Sequence, residues 1–289
     1  MPESQPRTNA ASTKDLLHRH GFYTKKQFGQ NFLVNDRILQ QIADAVQPDE
    51  DTVVLEVGPG SGALTVHLAE TAKRVVAIEK DESLRPVLAD ALQGYANVDV
   101  TFADCLETNL GELMAPYLDA STKLVFAANL PYYITTPILF QVLESSLPLT
   151  RAVVMVQKEV ADRMVATPGG KDYGVLSVGI QYRATVKRLF TVPPSAFLPQ
   201  PGVDSAVVLL DCTVPVDVHV DDEQLFFRVV RAAFSTRRKT LLNALSNGLG
   251  KSKDVCREWI VTSGIQPEAR AETLSIHQFA ELANRFPHA

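Results

Sequence analysis

Five short and almost continuously apolar runs, at residues 52–57, 74–78, 98–102, 123–127 and 152–156, alternate with stretches of helical spacing. Strands that carry Val, Leu or Ile at nearly every position must be covered on both faces, which suits a parallel sheet sandwiched between helices. The expected fold class is therefore an open α/β sheet. Upstream, residues 12–20 read as a short helix with Ser12 or Thr13 as its cap, and Ile38, Leu39, Ile42, Ala43 and Val46 recur at helical spacing. The proline-rich stretch 190–201 is expected to be irregular, and 203–210 to form a last strand at an antiparallel edge. After a linker at 213–220 only helical patterns follow, at 223–234, 239–249, 253–261 and 276–285, with Gly248, Gly250 and Gly264 as stop signals. The expected division is a sheet domain over residues 1–212 and a smaller helical domain over 213–289.

A chain of 289 residues, 46% hydrophobic and 21% charged, is long enough for one sizeable core and a second, smaller unit. Residues 1–11 are polar, without the apolar stretch of a secretory signal, and no apolar run approaches a bilayer-spanning length, so a cytoplasmic protein without membrane attachment is expected. Cys105, Cys212 and Cys256 are odd in number and far apart, which disfavours both a disulfide framework and a C-x-x-C metal site. The formal charge of −5 argues against nucleic acid as a partner, but charge is unevenly spread. Residues 224–260 hold eight basic side chains against two acidic ones, so one segment has the cations that phosphate needs.

The first of the five runs leads directly into Gly58-Pro59-Gly60-Ser61-Gly62, followed by a helical pattern. Glycines at Gly58 and Gly60 let the backbone turn sharply and let a ligand approach where a Cβ would collide. The next strand ends in Glu79, 21 positions beyond Gly58, where an open α/β sheet places a carboxylate to hold ribose hydroxyls. This pair alone indicates a nucleoside-containing ligand. The G-x-G-x-G spacing differs from the dinucleotide fingerprint, and Glu56 stands just before the loop; a carboxylate there repels a pyrophosphate but tolerates a sulfonium and an amino group. That favours S-adenosylmethionine over a nicotinamide dinucleotide. Asp104, after the third strand, is placed to accept from an adenine amine, and its alternative role is a helix-capping or turn aspartate. Asn31 and Leu33 are placed to close over the methionine end, with core packing as the alternative.

After the fourth run comes Asn129-Leu130-Pro131-Tyr132-Tyr133. The lone pair of an adenine N6 amine is delocalised into the ring, so the amine is a poor nucleophile until acceptors hold its hydrogens in a pyramidal arrangement. The Asn129 side-chain oxygen and the Leu130 carbonyl are candidates for those acceptors. Pro131 carries no backbone donor and restricts the residue before it. Tyr132 offers a face on which a flipped-out base stacks. No carboxylate base and no metal are required, because positioning and electrostatics carry the reaction. Phe197, in the loop 197–205, is a second candidate aromatic to sandwich the base opposite Tyr132; its alternative is a plug in the core.

Lys25-Lys26-Gln27-Phe28-Gly29-Gln30-Asn31-Phe32-Leu33, the glycine loop, Asn129 to Tyr132, the 197–205 segment and Phe234-Ser235-Thr236-Arg237-Arg238-Lys239-Thr240-Leu241 together resemble the small-subunit ribosomal RNA adenine-N6,N6-dimethyltransferases. The resemblance runs from about residue 16 to 286, in the same order. It implies a Rossmann-like S-adenosylmethionine-dependent methyltransferase sheet with a small all-helical C-terminal domain that helps dock on RNA. It implies two methyl transfers to each of two adjacent adenosines in a hairpin near the 3′ end of 16S rRNA, within an immature small subunit. It also implies that Asn31, Leu33, Gly58, Glu79, Asp104 and Asn129 contact the cofactor. Two features depart from the pattern: Cys105 stands where an Ala often follows the aspartate, and the net charge is less basic.

Arg237, Arg238 and Lys239 open a helical pattern, where cations oppose the macrodipole, and such a placement suggests a phosphate ligand. The alternative is a solvated face. Among competing functions, the nearest is methylation of an adenine in large-subunit rRNA, by enzymes that share the glycine loop and an Asn-x-Pro-Tyr-like motif. A ribosome-assembly factor without chemistry and a nicotinamide dehydrogenase are more distant. The expected oligomeric state is a monomer.

Overall fold

The computed structural model describes residues 10–25, 29–214, 216–236 and 238–287. Among the described residues nine strands are formed, β1 Phe32–Leu33, β2 Thr52–Val57, β3 Arg74–Glu79, β4 Val98–Phe102, β5 Lys123–Asn129, β6 Leu149–Gln157, β7 Thr185–Val192, β8 Phe197–Leu198 and β9 Ser205–Asp211. Seven of them make one sheet in the order β4-β3-β2-β5-β6-β9-β7, and β1 and β8 make a separate two-stranded ribbon. The five apolar runs are β2 to β6, all parallel, with Val54 opposite both Val75 and Val125. Every residue of β2 is buried, as a strand covered on both faces requires.

The chain steps outward from β2 through β3 to β4 and then returns to add β5 and β6 on the other side. The order therefore reverses between β2 and β5, and in open α/β sheets the crevice at the carboxyl ends of strands at such a switch point receives ligands. The glycine loop follows β2 and the Asn129 segment ends β5, so both lie at that crevice. Helix Asp36–Val46 begins on an Asn35 side chain that accepts from the Ile38 amide, and it buries Leu39, Ile42, Ala43 and Val46. These pack with Val54, Val125, Val153 and Val207 in one core cluster.

Two expectations about the sheet are corrected. β9 is antiparallel to β6, with Ala152 opposite Leu210, but it is interior, because β7 lies outside it. β7 runs to Val192, into the stretch expected to be irregular; four of its eight residues are exposed, Lys187 and Arg188 among them, which an edge strand tolerates and which removes a continuous apolar pattern.

By its internal contacts the chain divides into Met1–Ala161 with Lys187–Thr213, and Asp162–Val186 with Val214–Ala289. The excursion Asp162–Val186, expected in the first domain, belongs with the second because Tyr173 and Val178 join its core. That core is built by helices Glu223–Ala233, Leu241–Leu249, Lys253–Thr262 and Ile276–Asn284, started by the side chains of Asp222, Thr240, Ser252 and Ser275. The Trp259 indole donates to the Leu282 carbonyl at 2.8 Å, so a buried donor is satisfied. Gly248 permits the close approach of two helices: a Cβ there would lie 2.8 Å from the Ala232 Cβ.

Candidate active site

The crevice at the switch point is a cleft of about 1030 Å³, open solvent included, within the first unit. Asn31, Leu33, Gly58, Gly60, Glu79, Asp104, Asn129, Leu130, Pro131 and Tyr132 all line it, so the structure brings together residues spread over more than 100 positions of sequence. Gly58 and Gly60 have φ of +74° and +58°, a region L side chains rarely adopt, and a Cβ on Gly60 would come within 3.0 Å of the Phe32 ring. The loop is therefore shaped by its glycines to lie flat beneath a ligand.

Two acidic side chains lie behind that loop. Glu79 is buried and accepts from the amides of Gly60 (3.1 Å) and Asp81 (2.8 Å); burial raises its pKa against the pull of those donors. Glu56 is 1% exposed and its Oε2 makes no hydrogen bond of good geometry; burial, opposed by the nearby Thr65 hydroxyl and reinforced by repulsion from Glu79, pushes its carboxyl up to about 8. A buried carboxyl oxygen without a donor is costly to leave as it is. Its position in the cleft wall suits the cationic ligand expected from the loop spacing: near neutral pH the raised carboxyl largely keeps its proton, and a cation beside it favours the carboxylate.

Asp104 has both of its expected roles available. Its Oδ1 accepts from the Leu106 amide at 3.0 Å and so caps the turn Cys105–Glu107, while its Oδ2 takes the Lys80 ammonium at 2.5 Å, which holds the carboxyl below its ordinary value. Lys80, not singled out in the sequence, also lines the cleft.

The acceptor pair is oriented from its surroundings. The Asn129 Nδ2 donates to the Asn31 carbonyl at 3.2 Å, which leaves Oδ1 as the free, accepting end of the amide. Asn31 is itself held by its Nδ2 donating to the Gly29 carbonyl at 3.0 Å. The Leu130 amide donates to the Met155 carbonyl at 3.1 Å, and the Pro131 carbonyl accepts from the Ile134 amide and the Thr135 hydroxyl at 3.1 and 3.0 Å. The turn is thus pinned from both sides, with rigid backbone directing the Leu130 carbonyl. Tyr132 shares a 2.6 Å hydrogen bond with the hydroxyl of Ser205, a fully buried residue, and burial raises its phenol pKa. Ser205 carried no separate signal in the sequence beyond its place in the 197–205 segment.

Phe197 does not line this cleft. It is 2% exposed, pairs with Leu33 across the β1–β8 ribbon and packs in the core beside Ala196 and Val192, so the expected sandwich opposite Tyr132 is replaced by the core role. Arg238 and Lys239 are exposed in the second unit, immediately before Thr240, whose side chain caps helix Leu241–Leu249. Arg237, and Lys26, Gln27 and Phe28 of the upstream motif, lie outside the described residues. Among the described residues no helix is long and apolar enough to cross a membrane.

The chain matches the family model described as ribosomal RNA adenine dimethylase over residues 21–288. It is 48% identical over 276 residues to the ribosomal RNA small subunit methyltransferase A of Bacillus mycoides strain KBAB4, covering 94% of each. The protein of the same name from Bacillus cereus strain AH187 gives the same identity and coverage. Among solved structures, a dimethyladenosine transferase from Plasmodium falciparum superposes with a TM-score of 0.71 at 29% identity, over 87% of this chain and 95% of that one. The 23S rRNA methyltransferase ErmE superposes with a TM-score of 0.63 at 25% identity, over 88% of this chain and 99% of that one. The open sheet with a helical second unit is thus a Rossmann-like methyltransferase architecture.

Proposed function

Because the chain belongs to the ribosomal RNA adenine dimethylase family, we propose that it methylates the N6 amines of two adjacent adenosines in a hairpin near the 3′ end of 16S rRNA, using S-adenosylmethionine. The observation that carries this reading is the convergence of Asn129, Leu130 and Tyr132 with the glycine loop and Glu79 in one cleft. When bound, S-adenosylmethionine supplies an electrophilic methyl group on a cationic sulfur. Gly58 and Gly60 let its methionine end lie on the loop, Asn31 and Leu33 cover that end, Glu79 takes the ribose hydroxyls and Asp104 the adenine amine. Glu56 complements the positive charge from behind.

For the substrate, Tyr132 stacks on the flipped base, its ring plane set by Ser205. Asn129 Oδ1 and the Leu130 carbonyl then accept the two amine hydrogens and turn the lone pair toward the methyl group. After attack the cationic nitrogen passes its proton to solvent water at the open side of the cleft, so the site needs no carboxylate base. The relatives named for the small subunit, at 48% identity, support that particle over the large one. The protein acts as a monomer in the cytoplasm, on the immature subunit, with the unit of residues 1–161 and 187–213 holding the chemistry and the unit of residues 162–186 and 214–289 the RNA-docking role.

Radiolabelled S-adenosylmethionine, incubated with the protein and unmethylated small or large subunits, tests this directly. Label recovered as N6,N6-dimethyladenosine from small subunits is the expected result. Label confined to large subunits sinks it in favour of the ErmE-like specificity, and no label on either sinks methyl transfer to ribosomal RNA.

Arg238 and Lys239 stand just before a helix cap, where two cations oppose the helix dipole and phosphate relieves the conflict. Changing both to Ala is expected to weaken subunit binding and to flatten the log–log salt dependence by about 1.5–2 for two lost phosphate contacts. Binding curves at several salt concentrations check this; an unchanged slope assigns the pair to a solvated face.

A further inference from the structure

Tyr132 and Tyr133 are neighbours in sequence and opposites in environment. Tyr132 is tied down through its hydroxyl to fully buried Ser205, whereas Tyr133 is 57% exposed, although both line the cleft. Tyr133 therefore presents open aromatic surface at the edge of the functional cleft, within reach of whatever the cleft binds. Its inner side is supported by backbone: Gly29, at φ +56°, has no Cβ, and one built there would lie 3.1 Å from Cδ1 and 3.4 Å from Cε1 of Tyr133. The upstream segment therefore backs the ring closely because residue 29 is glycine.

We propose that Tyr133 is a second stacking platform, which holds the nucleobase adjoining the adenosine whose amine is at Asn129. This rests on the proposed function, in which the two target adenosines are adjacent. Extruding one base from a hairpin removes a stacking partner from its neighbour, and an exposed ring one residue from the first stacking ring offers a replacement face. Stacking on an aromatic ring is tolerant of base identity, so the same ring serves whichever of the two adenosines is outside the acceptor pair. Phe197, buried in the core, is not available for this role.

The test uses the full-length protein, Tyr133→Ala and Tyr133→Phe. Substrates are unmethylated small subunits, and an RNA hairpin carrying 2-aminopurine next to the target adenosine. For Tyr133→Ala the KM for subunits is expected to rise about tenfold, the order of one base–aromatic stack, with kcat and the calorimetric Kd for S-adenosylmethionine kept. The fluorescence quenching that wild type imposes on 2-aminopurine is expected to disappear with Ala and to persist with Phe, which keeps the ring. Wild-type KM and quenching in Tyr133→Ala, alongside an active wild type, overturn this inference alone. A loss of cofactor binding in Tyr133→Ala without any loss in Tyr133→Phe also overturns it, since the ring then shapes the cofactor cleft. A wild type that labels no small-subunit adenosine overturns the proposed function and this inference with it.

Discussion

Replacing Asn129 with Ala is expected to lower the rate of methyl transfer at least about 10²-fold, the scale of losing one preorganised polar contact to a developing charge. As the attack proceeds, positive charge builds on the N6 nitrogen and its hydrogens become more acidic, so an acceptor fixed at Asn129 Oδ1 gains strength in the transition state. An interaction that strengthens on the way to the transition state appears in kcat rather than in binding alone. The Asn31 carbonyl, by accepting from Nδ2, keeps Oδ1 turned to the substrate before it arrives, so no reorganisation is required at the moment of reaction.

The same replacement removes one partly buried hydrogen bond from the protein, a cost of about 1 kcal/mol that leaves the fold populated. Thermal unfolding separates that cost from the catalytic loss, and single-turnover rates at saturating cofactor and RNA measure the catalytic loss itself. A variant whose single-turnover rate stays within about threefold of wild type has not lost the amount that an acceptor role demands, and the Leu130 carbonyl then carries the orientation unaided. Asn129→Asp is informative beside it: it retains an oxygen acceptor but places a carboxylate against the Asn31 carbonyl, which repels rather than donates.

What could be read in the sequence follows from how locally each feature is written. The strands β2, β3, β5 and β6 were legible because each lies inside the sheet and is therefore apolar at nearly every position, whereas β4, a half-buried edge strand with Asp99 and Thr101, was legible through the alternation of Val98, Val100 and Phe102. β7 was not, since an edge strand with Lys187 and Arg188 has no continuous apolar signature. Asp162–Val186 lies between β6 and β7 in sequence, and the packing of Tyr173 and Val178 places it with the helical unit. In the cleft, ten of the residues singled out converge because each sits at the end of a strand or in a loop whose position the sheet order dictates. Phe197 failed because which way a loop aromatic turns depends on strand pairing, here with Leu33, and that pairing is long-range. The contrast between half-buried, tethered Tyr132 and exposed Tyr133 likewise depends on Ser205 and Gly29, residues distant from both in sequence.

Glu56→Gln is expected to stabilise the ligand-free protein above pH 8 by on the order of 3–5 kcal/mol while weakening its affinity for S-adenosylmethionine. In wild type, burial holds the Glu56 carboxyl at about 8, whereas in the unfolded chain a glutamate titrates near ~4.3. A group whose folded-state pKa is raised contributes its full stability below the unfolded value and loses it as pH rises through the folded one. The wild-type curve should therefore fall between those two pH values and level off above, and the Gln variant, whose side chain cannot ionise, should omit that fall. Glu79, also raised, is present in both proteins and largely cancels from the difference. At acidic pH the two proteins should agree closely, because glutamine matches the shape of the neutral carboxyl. The cofactor reverses the order of preference: a cation beside Glu56 favours the carboxylate, so wild type releases close to one proton on binding near pH 7, and the variant does not. Unfolding midpoints across pH, with titration calorimetry in two buffers of different ionisation enthalpy, measure both effects. Parallel stability curves together with equal proton release would show that Glu56 is already ionised in the empty cleft, its Oε2 satisfied by water.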